Sequence, residues 1–168
     1  EVKREADKLG ILIISGPLPF RGASPEELHE SVLESIKMAG ALGIERAVLH
    51  PLGNNKMPAG EENHNRWFNK NIEYYNRYFP LAQKEGFKIV TENMRDPFHA
   101  SGTHRYASTA DELIELADLL GLEICWDFGH AHEAGLDHYT ELLKIGHRLT
   151  MTHINDNWQG PSDEHLPP

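Results

Sequence analysis

"EICWDFGHAH", residues 123–132, begins as an apolar strand and then presents Asp127, His130 and His132 in quick succession. A short apolar run of this kind suits a strand covered on both faces, as in a parallel sheet. A polar turn would account for its ending. So would a site at the strand's carboxyl end, where parallel sheets bind their ligands. The segments on either side decide between the two.

Outward from this stretch the same alternation recurs. "ILIIS" (11–15), "RAVLH" (46–50), "FKIVTE" (87–92) and "LTMTHIND" (149–156) read as further strands. Helices separate them. After the opening "EVKREADKLG", residues 24–43 carry clear punctuation: Ser24 as N-cap, Pro25 at the first helical position, Glu27 closing a capping box and Gly43 as the stop. Leu28, Val32, Ile36 and Ala39 repeat along one face of it. Residues 65–86 form a helix with Phe68, Ile72, Tyr75 and Phe79 at near-helical spacing, residues 108–121 one capped by Ser108 or Thr109, and residues 137–146 another. Strands alternating with helices predict an α/β protein with a parallel sheet. Right-handed crossovers leave an open doubly wound sheet or a (β/α) barrel. The chain has no glycine-rich phosphate loop. Residues 1–168 read as a single domain.

With 39% hydrophobic and 25% charged residues, the composition is that of a globular protein. A formal charge of −10 repels phosphate backbones, so no nucleic-acid partner is expected. One cysteine, Cys125, excludes an internal disulfide framework and fits a reducing cytoplasm. No apolar run has the length of a membrane span, and residues 1–20 do not read as a charged-then-apolar leader. Eleven histidines bring metal chemistry into consideration. Both ends look cut: the first helix lacks an initiator Met, and "DEHLPP" ends on no element. We therefore expect a fragment.

Four strands end on chemistry-bearing residues: His50, Glu92, Asp127 and His153. Strand alternation points Val48 with His50, Val90 with Glu92, Cys125 with Asp127, and Met151 with His153 toward one interior. Leu49, Ile89 and Trp126 then face the surrounding helices. Singly, each ending has a plain reading: His50 as a turn residue, Glu92 as a helix cap, Asp127 as an Asx turn. In a closed barrel, however, the four ends converge, and carboxylates and imidazoles buried together need a cation. Oxygen and nitrogen donors suit Mn, Mg, Zn or Co. Cys125 reads as core.

"VLHP" (48–51), "VTENM" (90–94), "CWDFGHAH" (125–132), "THINDN" (152–157) and "DEHLPP" (163–168), in that order, resemble the sugar phosphate isomerase/epimerase group of the xylose isomerase-like TIM barrels. The resemblance implies a divalent metal cation held by a Glu, an Asp, a His and a second Glu. Glu92, Asp127 and His153 match the first three. The second Glu matches nothing here, and the five strands correspond to the third through seventh of eight, an incomplete barrel where a full one takes about 250 residues. The implied activity is isomerisation or epimerisation of a small sugar or sugar phosphate by proton transfer next to a carbonyl. Glu92 and His130 would be catalytic. His50, His130, Asp163 and His165 would bind substrate or a second metal. A homo-oligomer would cover the exposed edges of an incomplete barrel.

Two other readings stand beside this one. Apurinic-site endonucleases use the same barrel, and His50, Glu92, Asp127, His130, His153, Asp163 and His165 can be matched to their zinc cluster. Gly16 stands where those enzymes want a further His, and the acidic charge is wrong for DNA. A non-catalytic metal-binding barrel is the third reading.

Other features have plain readings. "DPFHASGTHRY" (96–106), with His99 and His104, reads as a solvated loop, with a substrate lid as the alternative. Trp67, Phe68, Tyr74, Tyr75 and Phe79 read as helix packing, and His29, His64, His138 and His147 as surface residues. Lys56 and Arg95 are candidates to hold a substrate phosphate.

Overall fold

The computed structural model describes residues 1–19, 22–54, 57–97, 101–159 and 164–168. Its elements run α1 (Val2–Lys8), β1 (Ser15–Pro17), α2 (Pro25–Leu42), β2 (Arg46–Val48), α3 (Glu61–Lys84), β3 (Lys88–Glu92), α4 (Ala110–Leu120), β4 (Glu123–Asp127), α5 (Phe128–Glu133), α6 (His138–Ile145) and β5 (Leu149–His153). The strands hydrogen-bond in chain order, β1-β2-β3-β4-β5, the order that successive right-handed crossovers generate. Internal contacts group into two compact units, Glu1–Leu49 with Tyr75–Val90, and His50–Tyr74 with Thr91–Pro168.

In the first unit β1 and β2, and β2 and β3, pair in parallel, with Pro17 opposite Val48 and Val48 opposite Val90. Val32, Ile36 and Ala39 of α2 are buried with Ala47, Val48, Leu49, Ile89 and Val90, so the helix face read from the sequence is the one that packs. Its start is capped as expected: Ser24 Oγ accepts from Glu27 N at 3.2 Å. The returning Glu27 carboxylate takes Ala23 N at 2.9 Å, one residue earlier than the usual box. Gly43 closes α2 at φ +70°, a left-handed conformation natural to glycine.

The run "ILIIS" departs from expectation. The strand is Ser15–Pro17, and Ile11, Leu12 and Ile14 are 55%, 73% and 56% exposed. The reason lies in the partner: Ile14 O already accepts from Glu45 N at 3.0 Å, immediately before β2 starts, so residues 11–13 have no strand opposite them. Likewise the buried side chains of α3 in this unit are Tyr75, Tyr78 and Ala82 rather than Phe79. Tyr75 is fixed by donating its hydroxyl to Leu49 O at 2.6 Å.

In the second unit α4 starts at Thr109, whose Oγ1 caps Glu112 N, and α6 starts at Asp137, which caps Thr140 N at 2.8 Å. Strands β4 and β5 are parallel with one irregularity. Ile124 faces Leu149, but the next pair is Cys125 with Met151, and Asp127 then lies beside His153. Thr150 is the extra residue of a bulge. Helix α5 was not anticipated. It follows β4 without a loop because Asp127, the last strand residue, is also its N-cap, with Oδ1 accepting from His130 N at 2.8 Å. No helix among the described residues is long and apolar enough to cross a membrane.

Candidate metal and substrate site

All the described residues of the candidate site belong to the second unit. Glu92, at the end of β3, is 1% exposed. Its Oε1 lies 2.9 Å from His153 Nδ1 and 3.6 Å from His130 Nδ1. Among the described residues its Oε2 makes no hydrogen bond, although His50 Nε2 approaches to 3.2 Å. His153 Nδ1 is also 3.6 Å from Asp127 Oδ2. The structure thus brings Glu92, Asp127, His153, His50 and His130 together. His50 sits two residues beyond the end of β2, which stops at Val48 rather than at His50 itself.

The remaining sequence candidates fare differently. The tail returns to the end of β5 through Asp156 and Leu166, whose backbones exchange two hydrogen bonds of 2.9 Å. His165 therefore lines the same depression as His153 and Asn155, but it is exposed. Asp163, Lys56 and His99 lie outside the described residues. Arg95 is spent on Glu133, donating Nε and Nη2 to the two carboxylate oxygens at 2.7 Å each.

His104 departs from the solvated reading given to its loop, of which residues 98–100 lie outside the described residues. Its Nδ1 is 3.1 Å from Asp96 Oδ2 and its Nε2 2.7 Å from Glu112 Oε1. Asp96 is fully buried. The hydrogen bonds to Asp96 and Glu112 raise His104 to about 9. Of the helical histidines, His147 is exposed, whereas His29 meets the Tyr78 hydroxyl at 3.0 Å and His64 meets Glu115 at 2.8 Å.

The electrostatics of the Glu92 cluster favour positive charge among its side chains. Contacts with Asp127, Cys125 and Glu92 raise His153 to about 12 against the burial that opposes it. Burial alone would raise the Asp127 carboxyl, but His153, His130 and the capping N–H outweigh it and lower the group to about 2. Burial lowers His50 in spite of Glu92. Donors that hold a proton so firmly favour positive charge among them, and a divalent cation supplies more of it. Carboxylates and imidazoles suit such an ion as donors, and here Glu92, Asp127 and His153 meet pairwise through His153 Nδ1. Glu92, Asp127 and His130 bring one donor atom each within 4.8 Å of one another, as do Glu92, Cys125 and His153. Cys125 is as buried as a core residue, but it also borders the site. Strand alternation carried that signal, since Cys125 shares the face of Asp127.

Three asparagines that sequence reasoning passed over hold this corner. Asn155 Nδ2 donates to Asp127 Oδ2 at 3.1 Å, and Asn157 Nδ2 donates to Gly129 O at 2.8 Å. Asn93 pairs with both main-chain groups of Asp127. Gly129 is required by the first of these contacts: a Cβ there would overlap the Asn155 amide oxygen. Their signal was their place beside the motifs, in "TEN" and "INDN".

A family model described as Xylose isomerase-like TIM barrel matches residues 1–168. Among solved structures, a D-tagatose 3-epimerase-like protein superposes with a TM-score of 0.73 at 23% identity, covering 98% of this chain and 63% of that one. The 3-keto-D-glucoside 4-epimerase of E. coli gives 0.70 at 15% identity, over 93% and 63%. A D-psicose 3-epimerase in the presence of D-fructose gives 0.66 at 15% identity, over 92% and 56%. At these identities the likeness is one of fold, and the chain spans less than two thirds of each neighbour. No curated protein matches it.

Proposed function

The chain belongs to the xylose isomerase-like TIM-barrel family, and on that premise we propose that it is the part of a metal-dependent isomerase or epimerase that binds a small sugar or sugar phosphate. Its residues 1–168 would be five of the eight strands of one barrel domain in a cytoplasmic enzyme. The observation that carries this reading is the convergence of Glu92, Asp127 and His153 at the ends of β3, β4 and β5, with His153 Nδ1 2.9 Å from Glu92 and 3.6 Å from Asp127. The 3-keto-D-glucoside 4-epimerase and the D-psicose 3-epimerase among the structural neighbours support the same class of substrate.

In this reading Glu92, Asp127 and His153 hold Mn, Mg, Zn or Co. Such a cation supplies positive charge against the negative charge that develops on substrate oxygens when a neighbouring C–H proton leaves. Glu92, buried and acceptor-only when ionised, is the base that receives that proton as well as a ligand. His130 and His50, on either side of Glu92, contact the substrate hydroxyls. Burial favours the neutral form of His50, in which one ring nitrogen accepts and the other donates. Burial of Glu92 and Asp127 limits water around the reacting carbon.

The test uses the intact protein that contains this chain, stripped of metal and incubated in deuterated water with ketoses, aldoses and their phosphates. Deuterium entering the carbon next to the carbonyl, dependent on added Mn, Mg, Zn or Co, is the expected result. Absence of exchange with every sugar and every metal would refute the proposal.

A further inference from the structure

We propose that Asn93 is a positioning residue of this site: its side chain fixes the main chain of Asp127, and its carbonyl holds the His130 proton on Nδ1, so that Nε2 is the acceptor atom His130 presents. The proposal deepens the reading of the cluster as a metal and sugar site, and it rests on that reading for its functional meaning.

Asn93 directly follows Glu92 and is fully buried. Its Nδ2 donates to Asp127 O at 2.9 Å, and Asp127 N donates to its Oδ1 at 2.6 Å. One amide thus satisfies both backbone groups of one residue, continuing the β3–β4 ladder by a side chain where β3 itself has ended. Because Asp127 N can only donate and Asp127 O can only accept, the amide orientation is determined. Asp127 is the pivot of the site, for its carboxylate faces His153 and caps α5 at once.

The second half of the argument concerns a proton. The carbonyl of Asn93 lies 2.7 Å from His130 Nδ1. A carbonyl cannot donate, so Nδ1 carries the hydrogen. Glu92 Oε1 is 3.6 Å from the same nitrogen, too far to compete for it. In the neutral ring the lone pair is then on Nε2. Nδ1 is barred from binding a cation while it donates, so His130 acts through Nε2 alone. Asn93 therefore ties together the carboxylate before it, the aspartate across the sheet and the imidazole on α5. Groups that orient metal ligands in this way commonly govern metal affinity.

The intact protein offers two tests. Nitrogen-15 NMR of the imidazoles, with His130 assigned by its loss in His130→Gln, is expected to show Nδ1 protonated and Nε2 carrying the lone pair. Asn93→Asp keeps the shape and the acceptor but sets an anionic oxygen against Asp127 O. Titration with Co²⁺ alone is expected to show affinity lower by about 10- to 100-fold, with an altered visible spectrum and kcat reduced more than KM. A His130 protonated on Nε2 would overturn the proposal. So would Asn93→Asp binding Co²⁺ within about twofold of wild type with an unchanged spectrum, the mark of a merely structural residue. If Asn93→Asp does not fold, the wild-type tautomer decides. Neither the tautomer nor Co²⁺ affinity depends on which sugar is turned over, so both stand or fall apart from the epimerase reading.

Discussion

Replacing His104 by Asn tests whether the loop after β3 is pinned by charge. In the folded protein the ring is held between Asp96 and Glu112 and titrates near 9, against 6.5 for an unperturbed imidazole. Below pH 6.5 the ring is charged in both folded and unfolded chains, and its contribution to stability is complete. Between 6.5 and about 9 only the folded chain keeps the proton, so stability falls as pH rises; above that window the contribution is gone. At roughly 1.4 kcal/mol per pH unit the full effect is at most about 3.5 kcal/mol, and partial solvent access screens it to about 1–2 kcal/mol. Urea unfolding of wild type and His104→Asn at pH 6 and at pH 9.5 measures it. We expect His104→Asn to be clearly less stable at pH 6, because it removes a charged partner shared by two buried carboxylates, Asp96 and Glu112. The gap should narrow by about 1–2 kcal/mol at pH 9.5. A gap that is constant or wider at high pH would show that the ring packs as a neutral group, and the reasoning would fail.

Glu92→Gln in the intact protein keeps shape and an oxygen donor but removes the base; we expect exchange of the substrate's α-hydrogen with solvent to fall by about 10² or more, with metal affinity, titrated in parallel, reduced less. Exchange at near wild-type rates with metal bound would place the base elsewhere. Gly129→Ala pushes Asn155 off the Asp127 carboxylate, and metal affinity measured by calorimetry should drop by about 10-fold or more while the fold, followed by circular dichroism, is retained. Arg95→Met removes the bidentate partner of the Glu133 carboxylate and should cost about 1–3 kcal/mol in urea unfolding; a loss under about 0.5 kcal/mol would mean that the pair is solvated in practice.

Much of the architecture was legible because local and tertiary preferences agree in it. Ser24, Pro25 and Gly43 bracket α2 chemically, and its apolar face is the buried one. "EICWD" is a strand from end to end, since both its faces are covered. The failures came where a neighbour decides. Residues 11–13 are as β-prone as any in the chain, yet a strand exists only opposite another strand. Helix α5 holds only six residues, including Gly129, His130 and His132, too short and too polar to show a period. Alternation along β3, β4 and β5 pointed to Glu92, Asp127 and His153. It was blind to Asn93 and Asn155, whose value lies wholly in what they touch. His104 looked solvated because its two carboxylate partners are separated from it by eight residues on either side, a spacing that no local pattern encodes.

The extra residue at Thr150 gives β5 two independent jobs. In an unbroken strand Leu149 and His153, four apart, would share a face, and a sequence could not change one without regard to the other. The shift after Ile124 uncouples them: Leu149 answers to Ile124, while Met151 and His153 answer to Cys125 and Asp127. The bulge works like a clutch between an anchoring half and a chemical half of the strand. Deleting Thr150 would re-engage the two halves, and the strand could then keep its anchor in place or its imidazole beside Asp127, but not both.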